Sequence, residues 1–168
     1  MPDGSSANFT IRGYRPEDKA ACHKLYEEGL LGGRIAENDT GADIDDIDNA
    51  YMLHPGSYLW VAENAQGEVV GMIGLQTHEQ GVGELRRLRV RQDHRRRGIG
   101  TALVEAALRY CQQNHYLKIT LDTYMEREPA VRLFEKFHFR LDRTREVGGK
   151  PLLYFYLDLY GHEKRQGQ

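Results

Sequence analysis

Seven arginines lie between residues 86 and 97, and two glycines follow them at once. The stretch reads "RVRQDHRRRGIGTALVEAALRYC" over residues 89–111, with charge in its first half and apolar residues in its second. The chain as a whole has 168 residues and a formal net charge of −2, so this positive charge is local. Two interpretations are open: a solvated basic surface, or a site for an anionic ligand such as a phosphate.

The two glycines favour the phosphate interpretation. A helical pattern of apolar residues begins at Ile99, which places Gly98 and Gly100 at the start of a predicted helix. The first turn of a helix has unpaired backbone N–H groups and a positive dipole end, and both attract phosphate. Glycine leaves room for a diphosphate to reach those N–H groups. A P-loop would need a lysine and a hydroxyl, and a dinucleotide-binding loop a third glycine, all of which are missing.

The residues around this turn predict a strand, a helix and a second strand in succession. Strand 82–90, helix 98–114 and strand 118–123 would form a unit with parallel strands. Alternating stretches before and after this unit predict antiparallel strand pairs. We therefore expect an α/β fold with a mixed, mostly antiparallel central sheet. It would form a single domain over residues 1–168, with short flexible ends at 1–7 and 162–168.

Three further helices are predicted by apolar periodicity and by proline positions. One would begin at Pro16 and continue through Ala20 to Leu30, and a second would lie near Ile44–Leu53. The third is the segment "EPAVRLFEKFHF", which precedes a C-terminal hairpin. These helices would cover the faces of the sheet.

The strand before the arginine run has an irregular pattern. Leu85 and Leu88 are three residues apart, so a regular strand would direct them to opposite faces. One extra residue at Arg86-Arg87 would return both leucines to the core face, which is the effect of a β-bulge. Bulges often lie beside active sites, so this strand is a candidate site element.

With these elements in place, "RRRGIG" resembles the Gln/Arg-x-x-Gly-x-Gly/Ala signature of the GCN5-related N-acetyltransferases. The strand "GELRRLRV" before it and the segment "AVRLFEKFHF" after it are similar to the same family. The resemblance implies that acetyl-CoA lies between splayed parallel strands flanked by helices. It implies cofactor contacts at Leu88, Arg89, Val90, Arg95, Arg96, Arg97, Gly98, Ile99, Gly100, Thr101 and Phe134.

The resemblance also implies catalytic roles, because the amine acceptor must lose a proton before it attacks the thioester. Glu84 occupies the position of a general base, acting directly or through a water, although a strand-edge carboxylate paired with an arginine is an alternative. The backbone N–H of Leu88 would donate to the thioester oxygen. The tyrosine that often protonates the leaving thiolate is replaced by Phe134, so Tyr124 and Tyr156 are the candidate substitutes. A thiolate can also leave without an acid.

The acceptor is predicted to be a primary amine of a small molecule, an amino acid derivative or a peptide N-terminus. The acidic stretch between Asp39 and Asp48 is either a rim that attracts a cationic amine or a solvated loop that offsets the arginines. A CoA-binding sensor without turnover is the principal alternative to an enzyme. A nucleic-acid partner would leave the glycines unexplained.

The remaining features set the expected surroundings of the protein. Cys22 and Cys111 are isolated and are expected to be reduced and buried, and the scattered histidines suggest no metal site. The sequence shows no secretory signal and no apolar run long enough to span a membrane, so a cytoplasmic location is expected. The C-terminal aromatic residues would allow a homodimer.

Overall fold

In the computed structural model, which describes residues 8–28, 39–125 and 127–159, seven strands form one sheet. The strands are β1 Phe9–Gly13, β2 Tyr58–Asn64, β3 Val69–Glu79, β4 Val82–Val90, β5 Lys118–Tyr124, β6 Arg140–Val147 and β7 Lys150–Asp158. The α-helices are α1 Lys19–Glu27, α2 Ala42–Asp45, α3 Ile99–Gln113 and α4 Glu128–Lys136. The predicted flexible ends at 1–7 and 162–168, and the predicted helix end at Leu30, lie outside the described residues.

The sheet has the predicted mixed topology. Its strand order is β1-β2-β3-β4-β5-β7-β6. β4 and β5 are parallel, and every other neighbouring pair is antiparallel. The parallel pairing extends only from Val82 opposite Lys118 to Glu84 opposite Thr120, although both strands continue beyond it. Past Glu84 the two strands therefore splay apart, as the family resemblance implied.

The predicted bulge in β4 is present. Met72 of β3 faces Arg89 and Gly74 faces Arg86, so the single residue between them on β3 faces two residues of β4. Arg87, the first of those two, has a φ of 60°, a backbone conformation that residues other than glycine rarely adopt. Leu85 and Leu88 consequently pack on the same core. The extra residue lies at positions 87 and 88, one place further along than the sequence predicts.

Two apolar cores lie on opposite faces of the sheet. β2 alternates between them: Leu59 and Val61 join the core with α1 and α2, while Trp60 and Ala62 join the core with α3. Each core holds one of the two cysteines. Both thiols are free and buried, as predicted. Burial raises the pKa of each thiol to about 12, so neither is a nucleophile at neutral pH.

The predicted helix at Ile44–Leu53 is replaced by two shorter elements. α2 ends at Asp45, and a π-helical turn spans Asp48–Met52. The Asp46 carboxylate accepts a hydrogen bond from the backbone N–H of Asn49 at 3.4 Å, and in this way it competes with the regular helix ladder. No helix in the described ranges is long and apolar enough to cross a membrane.

Candidate active site in the splayed strands

Two adjoining cavities occupy the cleft where β4 and β5 separate. The larger cavity, of about 530 Å³, lies between β4, β5 and the segment that leads into α2. The smaller cavity, of about 370 Å³, lies between the end of β4 and the first turns of α3 and α4. They share four lining residues, Leu88, Arg89, Arg127 and Ala130, so a ligand could extend from one into the other.

The smaller cavity contains the turn that the sequence singled out for phosphate. Gly98 is the N-cap residue of α3 with φ at 85° and ψ at 5°. A Cβ built there meets nothing within 4 Å, so its left-handed conformation, not crowding, requires glycine. A Cβ at Gly100 would approach Leu133 of α4 to 3.4 Å and narrow the same cavity. The chain thus keeps open space beside the first N–H groups of α3.

Most of the predicted cofactor residues line this cleft. The residues on the wall of the smaller cavity are Leu88, Arg89, Val90, Arg95, Arg96, Gly98, Ile99, Gly100 and Thr101. Arg97 is not among the residues that line either cavity. Phe134 lines the larger cavity and packs edge-on against Phe139, with ring centroids 5.6 Å apart. Arg95 joins the turn to β4, because its Nε donates to the carbonyl of Val90 at 3.1 Å.

Arg87 binds the acidic segment to the bulge, a contact that the sequence analysis did not predict. Its Nη2 donates to Asp43 Oδ1 at 2.5 Å and to Asp39 Oδ1 at 2.9 Å, and its Nε donates to Asp43 Oδ2 at 3.0 Å. Desolvation raises the pKa of both carboxyl groups, but the hydrogen bonds and charge of the Arg87 guanidinium outweigh it, so both pKa values are lowered. Tyr51 also donates to Asp43 at 2.5 Å. These two aspartates therefore hold α2 on β4.

Arg89 contrasts with Arg87. It is only 8% exposed, yet its Nε has no hydrogen-bond partner among the described residues. Its Nη1 donates only to the carbonyl of the preceding residue, at 3.1 Å. Burial, together with repulsion from Arg127 and Arg87, lowers the pKa of Arg89 to about 9. Sequence reasoning assigned Arg89 to the cofactor site, but nothing in the sequence distinguishes its burial from that of Arg87.

Glu84 and Asp122 lie near each other on the parallel strands. Glu84 Oε1 lies 2.8 Å from His78 Nε2, and Glu84 is outside the lining of both cavities. Asp122 faces the larger cavity. Although Asp122 is an exposed residue, partial desolvation of its carboxyl group and repulsion by Glu84 both raise its pKa. The sequence analysis did not single out Asp122, although a carboxylate on the strand predicted to be the parallel partner of β4 was a usable signal.

The two candidate tyrosines occupy different surroundings. Tyr124 lines the larger cavity, and the guanidinium of Arg127 lies over its ring at 5.1 Å. Tyr156 lies on β7 opposite Thr120, with Lys118 Nζ 5.3 Å from its ring centroid, and lines neither cavity. The structure therefore brings Tyr124, and not Tyr156, to the cleft wall. Across the described ranges no group of three or more His, Cys, Asp or Glu side chains could hold a metal ion.

Comparison with known proteins identifies the family. Residues 20–139 match the model of the acetyltransferase (GNAT) family, which covers more than half of the chain. The chain belongs to this family. The membership inferred from "RRRGIG" and its flanking segments is thus confirmed.

Curated relatives cover part of the chain. The chain is 38% identical over 99 residues to the N-acetylaspartate synthetase of Xenopus tropicalis, and the aligned region spans 58% of this chain and 36% of that protein. It is 33% identical over 103 residues to human N-acetyltransferase 8, which spans 58% of this chain and 45% of that protein. The match thus spans less than half the length of these two relatives.

Solved structures agree on the fold. The structure of yncA from Salmonella typhimurium with its cofactor acetyl-CoA has a TM-score of 0.78 at 20% identity, over 91% of this chain and 95% of that one. A GCN5-related N-acetyltransferase from Kribbella flavida has a TM-score of 0.77 at 19% identity, over 90% and 98%. The mixed sheet with one splayed parallel pair is therefore the family fold.

Proposed function

We infer that this protein transfers the acetyl group of acetyl-CoA to a primary amine by direct attack of the amine. The acceptor would be a small molecule, an amino acid derivative or a peptide N-terminus. One observation carries this proposal: beyond Glu84 and Thr120 the parallel strands separate, and the cleft between them ends at a helix N-terminus that starts with glycine. The names of the relatives, N-acetylaspartate synthetase and N-acetyltransferase 8, support the same chemistry.

The residues of the smaller cavity suit a nucleotide-bearing thioester. The N–H groups from Arg96 to Thr101 would hold its diphosphate, with charge supplied by Arg95 and Arg96. The backbone of Leu88 and Val90, free of β5 where the strands have splayed, would hold the pantetheine. When bound, acetyl-CoA supplies an activated acetyl group. Phe134 would lie against the thioester end of the cleft.

We propose Glu84 as the general base. Because Glu84 lines neither cavity, the proton of the amine would first pass to Asp122, which does line the larger cavity. Asp122 faces the acceptor side, and its raised pKa makes it a better proton acceptor than an ordinary aspartate. Glu84 raises that pKa by its charge, and a water between the two groups would let the proton pass on. The Leu88 N–H at the bulge would donate to the thioester oxygen. Tyr124 on the cavity wall is the proposed proton donor to the leaving thiolate, ahead of Tyr156.

A CoA-binding sensor without turnover is the second candidate. It is favoured by Phe134, which places a hydrocarbon ring where the family often has a tyrosine hydroxyl. Such a sensor would bind acetyl-CoA with the same cleft but would need neither Asp122 nor an acceptor cavity of about 530 Å³. The size and charge of that cavity favour the enzyme.

Thiol release separates the two candidates. The protein is incubated with acetyl-CoA and a panel of primary amines, and free CoA is measured with a thiol reagent, while acetyl-CoA binding is measured by calorimetry. We expect binding and amine-dependent release. Arg109→Gln, on the exposed face of α3, is the control variant. Binding without release on any amine would establish the sensor, and absence of binding would refute both candidates.

A further inference from the structure

A buried arginine without a counter-ion lies at the junction of the two cavities. Arg89 is 8% exposed, lines both cavities and has an Nε without a hydrogen-bond partner among the described residues. A buried charge normally has an ion-pair partner, because an uncompensated one destabilises the folded state. The chain therefore retains a cation whose partner is not supplied by the described part of the fold.

The acidic groups nearest to Arg89 are already engaged. Asp39 is close enough to act on Arg89 electrostatically, but its carboxylate binds Arg87. Asp43 likewise accepts two hydrogen bonds from Arg87. The other charges that act on Arg89 are the cations Arg87 and Arg127, which make an anion still more favourable at this point.

A carboxylate fits this position better than a second phosphate. Most of the cation is buried, so it suits a small planar anion with one charge, which a guanidinium can bind through two parallel hydrogen bonds. The cofactor's diphosphate already has the α3 turn with Arg95 and Arg96. The larger cavity also carries Asp122, which could receive an ammonium group. Arg89 and Asp122, which line the same cavity, are together complementary to a zwitterion.

The position of the Arg89 guanidinium limits the distance between the carboxylate and the amine of such a ligand. The Nη1 of Arg89 lies 3.1 Å from the backbone oxygen of Leu88, the residue whose N–H is the proposed donor to the thioester oxygen, so the guanidinium lies beside the proposed reaction point. An acceptor whose carboxylate lies on Arg89 must therefore have its amine close to that carboxylate to reach the thioester. An α-amino acid meets this condition. A peptide N-terminus has no carboxylate beside its amine.

We propose that Arg89 binds the α-carboxylate of the acceptor, which makes the acceptor a free α-amino acid. This proposal rests on the proposed acetyl transfer and narrows its acceptor class. Arg89 positions the amine and takes no part in the proton transfers. In the transfer itself the neutral amine nitrogen forms the new bond to the acetyl carbon, the carbon–sulfur bond breaks with its electron pair on sulfur so that CoA departs as the thiolate, and the enzyme's base accepts the proton that the nitrogen loses.

The test compares amino acids with their primary amides, which keep the amine but lack the charge. CoA release is measured for each pair with the wild type and with Arg89→Gln, and Arg109→Gln serves as control. We expect the wild type to favour the acids over the amides by about 10- to 100-fold in kcat/KM, the range of a charge-assisted hydrogen bond. Arg89→Gln should lose that preference, with the KM for acetyl-CoA unchanged. Arg89→Lys should retain part of it, because lysine keeps the charge but not the planar fork.

Thermal unfolding provides a readout that does not depend on activity. Removal of an unpaired buried charge should leave Tm of Arg89→Gln equal to or about 2–4 °C above that of the wild type without ligands. A free amino acid should raise Tm of the CoA complex in the wild type but not in the variant. A fall of Tm by a similar amount would show that Arg89 is structural and would overturn the proposal.

Each failure has its own pattern. Equal use of acids and amides by the wild type would overturn the carboxylate site while leaving acetyl transfer intact. A higher KM for acetyl-CoA in Arg89→Gln, with the acid preference preserved, would assign Arg89 to the cofactor and likewise overturn it. Absence of CoA release with every amine would instead refute the proposed function.

Discussion

Arg87 and Arg89 stand two residues apart on β4, and their surroundings give them different roles. Arg87 has two carboxylates on its guanidinium and a backbone held at positive φ by the bulge. Arg89 has the same burial without a carboxylate. Identical side chains therefore form a structural clamp in one case and the proposed binding group in the other. The decisive factor is the position of Asp39 and Asp43, which the sequence of β4 does not contain.

The Glu84–Asp122 pair predicts a specific pH dependence. The pKa of Asp122 is raised partly by the charge of Glu84, so Glu84→Gln should lower it. The acidic limb of kcat/KM should then move to lower pH, while kcat falls by about 100-fold because the proposed base is lost. Asp122→Asn should lower kcat and remove that limb.

The measurement is kcat/KM against pH from about 3.5 to 9 for both variants and for wild type, because the ordinary pKa of an aspartate is 3.8. His78→Ala, which removes one neighbour of Glu84 and leaves its contact with Arg86, is a comparison for nonspecific disturbance of the strand end. If Glu84→Gln kept the full rate with an unshifted limb, neither the base assignment nor the coupling would survive.

Gly98 predicts a loss of both stability and cofactor affinity on substitution by alanine. Its φ of 85° costs a non-glycine residue about 1–2 kcal/mol of folding free energy. A side chain there also occupies the open space beside the first N–H groups of α3, so the Kd for acetyl-CoA should rise by about tenfold or more.

Gly67→Ala is the matched control for Gly98→Ala. Gly67 has a φ of 81° in the turn between β2 and β3 and lines neither cavity of the cleft. Both variants should unfold at similarly reduced urea concentrations, and only Gly98→Ala should weaken acetyl-CoA binding in calorimetry. Equal affinities for the two variants would remove the phosphate role from the glycine turn.

At the scale of elements, the Arg87 clamp attaches α2 to the bulge of β4. Loss of this cation by Arg87→Gln leaves two half-buried carboxylates without their counter-ion, although each keeps one uncharged hydrogen-bond donor, so the free energy of unfolding should fall by about 3 kcal/mol at pH 7. The ordinary pKa of each carboxyl group is 3.8, and the folded-state value is lower. The clamp therefore stabilises the fold fully above pH 3.8 and loses that effect as the pH falls through the folded-state pKa.

Urea unfolding at pH 7, 5 and 3 checks the clamp. The difference between wild type and Arg87→Gln should be constant from pH 7 to 5 and should shrink at pH 3. Arg132→Gln removes an exposed ion pair with Glu128 and should change stability by less than about 0.5 kcal/mol. A difference that stays the same at pH 3 would mean that packing, and not charge, holds α2.

The elements themselves were largely predictable from sequence, because each carries its period in its own residues. The apolar stripe of α3 and the alternation of β2 depend on local spacing, and even the bulge followed from Leu85 and Leu88. The replaced helix after Ile44 was not predictable, because apolar spacing does not show that the Asp46 carboxylate accepts the backbone N–H of Asn49. The burial and contacts of site side chains such as Asp122 and Arg89 were not predictable, because they depend on strands that pair across long stretches of sequence.

At the scale of the whole molecule, the sheet lacks strand pairing in the cleft, and a ligand bound there would supply contacts between the separated strands. β4 and β5 share only the pairs from Val82–Lys118 to Glu84–Thr120, so the sheet is least continuous between its two antiparallel parts. A ligand that occupies the splayed region contacts both strands and stabilises only the folded state. At 100 times its Kd, acetyl-CoA should add about 2.7 kcal/mol of stability, which corresponds to a rise in Tm of about 5–10 °C for a chain of this size.

Hydrogen exchange shows whether that stabilisation arises in the cleft. The amides of residues 85–90 lie on the part of β4 beyond its pairing with β5, so they should exchange more slowly when acetyl-CoA is bound. The β1–β2 pair lies two strands away at the other edge of the sheet and should show only the change due to global stability. Gly98→Ala, measured at the same concentration of acetyl-CoA, should show smaller effects. A rise in Tm without slower exchange at residues 85–90 would place the ligand outside the splayed strands, because no contact there would then be formed.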